Sequence, residues 1–246
     1  MRIIKWEKLP PEMQCDEVRE YYEILQKKKL SLFFKRLFDI CFSLLGLIAL
    51  SPVFLILAIA IKIDSKGPVF YRQVRVTQYN RKFRIFKFRS MVSNADKIGT
   101  EVTVKDDVRV TKVGKFIRKC RLDEISQLID VLRGTMTFVG TRPEATKYVE
   151  EYTPEMMATL LLPAGVTSEC SIRYKNEDEL LGGVEDVDKA YVEKVLPEKM
   201  EYNLKALKEF SFFKDLRTMI RTVFAVLGKD YGEEKPQSNQ EVESND

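Results

Sequence analysis

The stretch "ICFSLLGLIALSPVFLILAIAI", Ile40 to Ile61, carries no charged residue and is interrupted near its middle by Ser51-Pro52. As one continuous helix it would be about 33 Å long at about 1.5 Å per residue, enough to cross a bilayer. A simple span is therefore one reading. Two features favour another. Proline removes a backbone donor and bends a helix. Both flanks are also basic: Lys27, Lys28, Lys29, Lys35 and Arg36 precede the run, and Lys62, Lys66, Arg72 and Arg75 follow it. The positive-inside bias keeps both ends on the same side. A re-entrant helix hairpin over residues 35–63 satisfies both features, with the Ser51 hydroxyl capping a carbonyl freed by Pro52. Asp39 follows Lys35 and Arg36 at helical spacing, so it is expected to pair with them at the interface.

The rest of the composition is that of a globular protein. The chain has 246 residues, 45% of them hydrophobic and 32% charged, enough for one sizeable core or for a modest core plus appendages. A net charge of +4 says little, but its distribution says more. Between Lys62 and Met91 nine Lys or Arg residues face one acid, Asp64. A basic block beside an apolar run suits an anionic membrane surface or phosphate ligands. Cys15, Cys41, Cys120 and Cys170 are far apart and form no CxxC pair, so neither a zinc site nor a disulfide framework is indicated. There is no histidine. Ser/His and Cys/His nucleophile schemes are thereby excluded, and catalysis must use carboxylates, Lys, Arg, Tyr, hydroxyls or a bound hard cation. The apolar run lies too deep to read as a secretory signal.

The middle of the chain mixes short strand-like runs, "PVFYRQVRV" (68–76) and "KFRIFKFRSM" (82–91), with one helix. That helix carries Leu122, Ile125, Leu128, Ile129 and Leu132 at helical spacing and stops at Gly134. Asp123 and Glu124 then fall in its first turn, where the helix dipole favours anions. Neighbouring positions diverge by about 100°, so the two carboxylates point to different places rather than sharing a proton. An ordinary acidic helix start explains them. So does a nucleophile beside a metal ligand. The surroundings favour the second: Lys112, Lys115, Arg118, Lys119 and Arg121 lie upstream, and "FVGTRPE" (138–144) follows as a rigid turn. Carboxylates among cations suit a Mg²⁺-assisted reaction on a diphosphate. Further on, "FFKDLRTMIRTVFAVLG" places Phe212, Phe213, Leu216, Met219, Ile220, Val223 and Leu227 on one face, as a core helix or one lying on a membrane surface.

These pieces together resemble the bacterial sugar transferase family, the monotopic phosphoglycosyl transferases. The matching motifs, in order, are "KRLFD" (35–39), "LSPVFLILAIAIKIDSKGPVFYRQ" (50–73), "KFRSM" (87–91), "DDVRVTKVGKFIRK" (106–119), "LDEISQL" (122–128), "VLRG" (131–134) and "FVGTRPE" (138–144). A weaker likeness continues through "LPAGVTSECSIRYKNEDELL" and "DLRTMIRT". The resemblance implies transfer of a sugar 1-phosphate from a UDP-sugar to polyprenol (undecaprenyl) phosphate, with release of UMP, to begin a glycan. It implies that Asp123 is the nucleophile, giving an aspartyl sugar-phosphate intermediate, and that Glu124 is the acidic partner at Mg²⁺. Arg118 matches an arginine that holds phosphate. Arg142 and Pro143 match a turn associated with the nucleotide. The family's re-entrant helix, broken at Ser-Pro, agrees with the charge argument above.

The expected fold is α+β, mostly helical with a small β-sheet, the membrane hairpin and amphipathic interfacial helices. The organisation expected is a lead-in (1–34), the hairpin (35–63), a cytoplasmic catalytic domain (64–232) and a disordered polar tail (233–246). Lys87 and Arg89 are either ligand contacts or structural. Asp107 and Arg109 suit a scaffold pair, and Arg173 either reaches phosphate or uracil or lies on the surface. The expected setting is a bacterial inner membrane, with its lipids as partners and no nucleic acid; a homodimer is left open. An inactive membrane scaffold and a Mg²⁺-dependent nucleotide-sugar phosphohydrolase are the competing functions. Three departures stand out: Ile125-Ser126 replaces Leu-Pro, Thr141 replaces a proline, and "PAGVTSECS" (163–171) replaces "PGITGWAQ".

Overall fold

A computed structural model describes residues 1, 3–93, 95, 107–174 and 186–228; the expected tail lies outside the described residues. The lead-in packs into the core. After two 3-10 turns, helix α1 (Asp16–Lys27) starts with Asp16 and Glu17 and ends with Lys27, charges that suit the helix dipole. It buries Val18, Tyr21 and Leu25 along one face. With Met13 and Leu32 these pack against Ala158, Leu161, Leu207 and Phe210 to form the largest apolar cluster.

Helices α2 (Lys29–Ala49) and α3 (Ser51–Asp64) are bent by 60° at Leu50. No single helix among the described residues is long and apolar enough to cross a membrane, although this bent pair passes that test together. Pro52 cannot donate to the Ile48 carbonyl, and the Ser51 hydroxyl donates to that oxygen instead at 2.8 Å. The cap expected from sequence is therefore present at the break.

α2 is amphipathic in the inverted sense. Lys35, Asp39 and Ser43, four apart on one face, are buried, while Leu44, Leu45 and Ile48 are exposed. The expected pairing of Asp39 with Lys35 and Arg36 is not what holds them. Asp39 accepts from the Thr137 hydroxyl at 2.8 Å and the Phe138 N–H at 3.1 Å. Lys35 bonds Asp215 at 2.5 Å and the Val139 carbonyl at 2.6 Å. Arg36 donates to the carbonyls of Val131 at 2.7 Å and Leu132 at 2.9 Å. The reason is burial: each polar group takes the partner that the covering element presents.

The sheets are small. β1 (Phe70–Tyr71) pairs antiparallel with β4 (Lys87–Phe88), and within that pair β2 (Val74–Thr77) forms a hairpin with β3 (Arg81–Arg84). The two strand-like runs of the sequence thus fold onto one another. α4 (Lys112–Lys119) lies on α3, where Ile117 meets Leu57 and Ile61, and α5 (Leu128–Arg133) lies on α2. β5 (Met136–Val139) runs parallel to β6 (Ala164–Thr167), with the short α6 (Thr146–Val149) between them and α7 (Glu169–Arg173) after. α8 (Val187–Ala190) passes through a π-helical turn, Tyr191–Val195, into α9 (Leu196–Lys208). In α10 (Phe212–Val226) Thr218 and Ala225 face inward, whereas Phe213, Ile220 and Val223 are exposed. Its Phe212 ring packs on Phe38 of α2 at 5.9 Å between centroids. The apolar faces of α2, α3 and α10 thus remain outside the core.

Asp39→Ala leaves a buried hydroxyl and a partly buried N–H without their acceptor. Stability is expected to fall by about 1–3 kcal/mol, read as a lower melting midpoint in detergent. An unchanged midpoint would show that α2 is held to β5 by packing alone.

Candidate active site

Sequence periodicity places Asp123 and Glu124 in the first turn of a helix running past Leu132, but α5 begins only at Leu128. Asp123 lies in a turn and Glu124 precedes a 3-10 turn, Ile125–Gln127. The helix is delayed because α4 ends just before: Arg121 adopts a left-handed conformation (φ 55°) and redirects the chain. The dipole of a long helix is therefore not what surrounds these carboxylates. Two other devices fix the turn. The Phe88 N–H donates to the Asp123 carbonyl at 3.1 Å. The buried Ser126 hydroxyl lies 3.0 Å from the Phe86 carbonyl and 3.1 Å from that of Asp123. The replacement of proline by Ser126 thus ties the acid pair to the strand that carries Lys87.

The two carboxylates sit in opposite electrostatic settings. Burial acts to raise the Glu124 carboxyl, but Arg142 at 2.5 Å and Lys87 at 3.7 Å outweigh it and hold the group well below the usual carboxylate range. Burial raises the Asp123 carboxyl, and the pull of Lys87 and Arg118 does not cancel that rise. Among the described residues no side chain hydrogen-bonds to the Asp123 carboxylate, whose hydrogen-bond partner is its own backbone N–H. Glu124 is thus a clamped anion and Asp123 an uncommitted one, a separation of roles typical of catalytic carboxylate pairs.

Both acids line a cavity of about 310 Å³ together with Lys87, Arg118 and Arg142. Asp123, Lys87 and Arg118 also border a cleft of about 960 Å³ whose wall carries Arg72, Arg84 and Lys147. Pro143 and Arg142 border a smaller pocket of about 120 Å³. The sequence candidates Asp123, Glu124, Arg118, Lys87 and Arg142 therefore come together, with Pro143 adjoining.

Others stand apart. Arg89 borders the cleft but is buried, and its guanidinium donates to the Ser65 carbonyl at 2.7 Å and the Lys66 carbonyl at 3.1 Å, closing the end of α3. Arg109 also borders the cleft, but its guanidinium pairs with Asp107 and donates to the Ala95 carbonyl at 3.0 Å. Arg173 lies over the Tyr202 ring at 5.1 Å and borders none of these three pockets; its neighbours Cys170, Ser171 and Tyr174 border the 310 Å³ cavity instead.

Sequence reasoning missed a buried polar knot behind Arg142. The Glu144 carboxylate accepts from Tyr191 at 2.7 Å and pairs with Lys199 at 3.2 Å, and Lys199 donates to the Tyr191 hydroxyl at 2.7 Å. Tyr191 and Lys199 are eight residues apart and in a regular helix would diverge by about 80°. The π turn absorbs one residue, so they behave as if seven apart and fall about 20° from alignment. No local pattern announces such a turn, so the pair is invisible before folding.

Comparison with known proteins supplies the context. Residues 30–229 match the family model described as bacterial sugar transferase. The UDP-glucose:undecaprenyl-phosphate glucose-1-phosphate transferase of Klebsiella pneumoniae is 38% identical over 201 residues, 79% of this chain and 40% of that protein. A UDP-N-acetylgalactosamine-undecaprenyl-phosphate N-acetylgalactosaminephosphotransferase of Aeromonas hydrophila is 34% identical over 198 residues, 79% of this chain and 44% of its own. The putative undecaprenyl-phosphate N-acetylgalactosaminyl 1-phosphate transferase of Bacillus subtilis (strain 168) is 38% identical over 135 residues, 55% of this chain and 75% of that one. The chain thus spans less than half the length of the first two relatives. With four-fifths of its own length inside the matched region, the chain belongs to the bacterial sugar transferase family.

Proposed function

We propose that this protein transfers a sugar 1-phosphate from a UDP-sugar to polyprenol phosphate at a bacterial inner membrane, facing the cytoplasm, and so starts a glycan. The observation that carries this reading is the unlike pair, Asp123 uncommitted and Glu124 clamped, in one cavity with Lys87, Arg118 and Arg142. The relatives' names specify UDP-glucose or UDP-N-acetylgalactosamine and undecaprenyl phosphate, which supports the substrate class.

In the proposed sequence a carboxylate oxygen of Asp123 attacks the phosphorus that bears the sugar. The bond from that phosphorus to the bridging oxygen breaks, and UMP leaves with the bridging oxygen. A phosphate oxygen of the polyprenol phosphate then attacks the same phosphorus, and the Asp123 carboxylate departs. The product is a polyprenyl diphosphate sugar. Dividing the transfer in two lets UMP leave before the anionic acceptor arrives. Lys87 and Arg118 offset the charge that develops on the phosphoryl oxygens, and Arg142 holds Glu124 while facing the nucleotide end.

Among the described residues no three metal-binding side chains gather into a cage. Two adjacent carboxylates on a phosphate-binding cavity nevertheless fit Mg²⁺ in the mode that takes one or two carboxylates from protein and the remaining ligands from substrate phosphates and water. Glu124, beside Asp123, would hold it, and the ion would neutralise diphosphate charge. The exposed apolar faces of α2 and α3, with basic flanks, support insertion of the bent pair from one side of the membrane; α10 extends the same apolar surface.

Purified protein in detergent, given a panel of UDP-sugars, Mg²⁺ and undecaprenyl phosphate, is expected to release UMP with one donor. Asp123→Asn is expected to lose at least about a thousand-fold in rate, with an unchanged melting midpoint. Undiminished release by Asp123→Asn would sink the nucleophile assignment; release without acceptor at the full steady rate would point to a hydrolase, and silence with every donor would favour the scaffold. For topology, Lys28→Cys and Ser65→Cys in a cysteine-free background are expected to react with an impermeant maleimide from the same side of oriented vesicles. Labelling from opposite sides would establish a crossing span.

A further inference from the structure

Two helices of this protein end in the same backbone motif, and they fill its key position differently. After α5, the Gly134 N–H bonds the Val131 carbonyl at 3.0 Å and the Thr135 N–H bonds the Asp130 carbonyl at 3.1 Å. After α4, the Arg121 N–H bonds the Arg118 carbonyl at 3.0 Å and the Leu122 N–H bonds the Ile117 carbonyl at 2.9 Å. Both are complete Schellman ends, in which one residue takes a left-handed conformation. Gly134 does so at φ 82° and Arg121 at φ 55°. Glycine suits that position because it has no Cβ to collide with the following carbonyl; any other residue stores strain there.

Capping does not explain the arginine. The closing bonds all come from the backbone, and Arg121 is exposed, so it fills no core volume. Its side chain lies near enough to Glu124 to help hold that carboxylate charged. It borders the 310 Å³ cavity with Asp123, Glu124, Arg118 and Arg142. Non-glycine residues held in strained conformations cluster at functional sites, where the surrounding structure compensates for them. A left-handed turn at this point also swings the side chain of residue 121 to the same side as the acid pair that follows.

We propose that Arg121 is a donor-binding residue, whose guanidinium contacts the diphosphate of the UDP-sugar, and that the chain tolerates backbone strain to hold it there. The inference rests on the donor reading given above and adds to it a third arginine beside Arg118 and Arg142. A guanidinium presents a planar fork of donors that matches phosphate oxygens, which an ammonium does not.

The test exploits opposite signs. Wild-type protein, Arg121→Gly, Arg121→Gln and Arg121→Lys are compared in detergent with Mg²⁺, measuring UDP binding by calorimetry and the melting midpoint of each. Arg121→Gly relieves the strain and should melt about 2 °C higher, yet bind UDP about ten-fold more weakly. Arg121→Gln should bind as weakly without the thermal gain, and Arg121→Lys should fall between Gln and wild type. Wild-type affinity in Arg121→Gly overturns the proposal, and a lowered midpoint there reassigns Arg121 to the fold. Failure of the wild type itself to bind UDP would overturn the donor reading, and this inference with it, and is distinguishable because it needs no variant.

Discussion

The structure depends on a polar face buried where an apolar one is usual. Lys35, Asp39 and Ser43 point from α2 into the protein, and Asp39 finds its partners on β5 while Lys35 finds Asp215 on α10. Taking a carboxylate and an ammonium out of water is costly unless each is fully satisfied, so these contacts allow little freedom of rotation. The consequence is that the apolar side of α2 must face outward. One constraint thus orients the bent helix pair, fixes it to the central strands, and presents its hydrophobic surface beside that of α10.

The same rigid attachment reaches the acid pair. Arg36 closes the end of α5 by binding the carbonyls of Val131 and Leu132, and α5 continues from the turn holding Asp123 and Glu124. Packing of Leu122 and Ile125 near Leu57 and Ile61 brings that turn onto α3. The carboxylate proposed as nucleophile is therefore positioned by contacts with the helices whose outer faces are apolar. That arrangement suits the proposed reaction, in which a soluble nucleotide-sugar meets a phosphate carried on a lipid. Within the cavity, adjacent acids differ because only one of them is gripped. Arg142 and Lys87 stabilise the charged form of Glu124, and burial works against that of Asp123.

Much of the site was legible because its signals are local. Asp123, Glu124, Arg118 and Arg142 lie in short motifs, and their charges stand out in a chain without histidine. Lys87 was ambiguous in sequence, since Arg89 has the same charge and, two positions along a strand, would share its face; β4 ends at Phe88, and the structure sends Lys87 to Glu124 and Arg89 to the end of α3. Helical periodicity misplaced the start of α5 because it registers apolar spacing and not a left-handed residue. The knot of Glu144, Tyr191 and Lys199 was illegible for a related reason: a π turn shifts the phase of a helix without leaving a pattern in composition.

The sequence by itself determined the break at Ser51-Pro52, the basic flanks, two strand-like runs and the identity of the acid pair. Each of these follows from bonded geometry or from charge within a few residues. Only the tertiary structure decided which partners the buried charges of α2 would take, which of two adjacent carboxylates would be clamped, and where the polar knot behind Arg142 would form. Those outcomes are set by desolvation, which depends on what covers a group once the chain is folded, and that covering comes from residues far away along the chain.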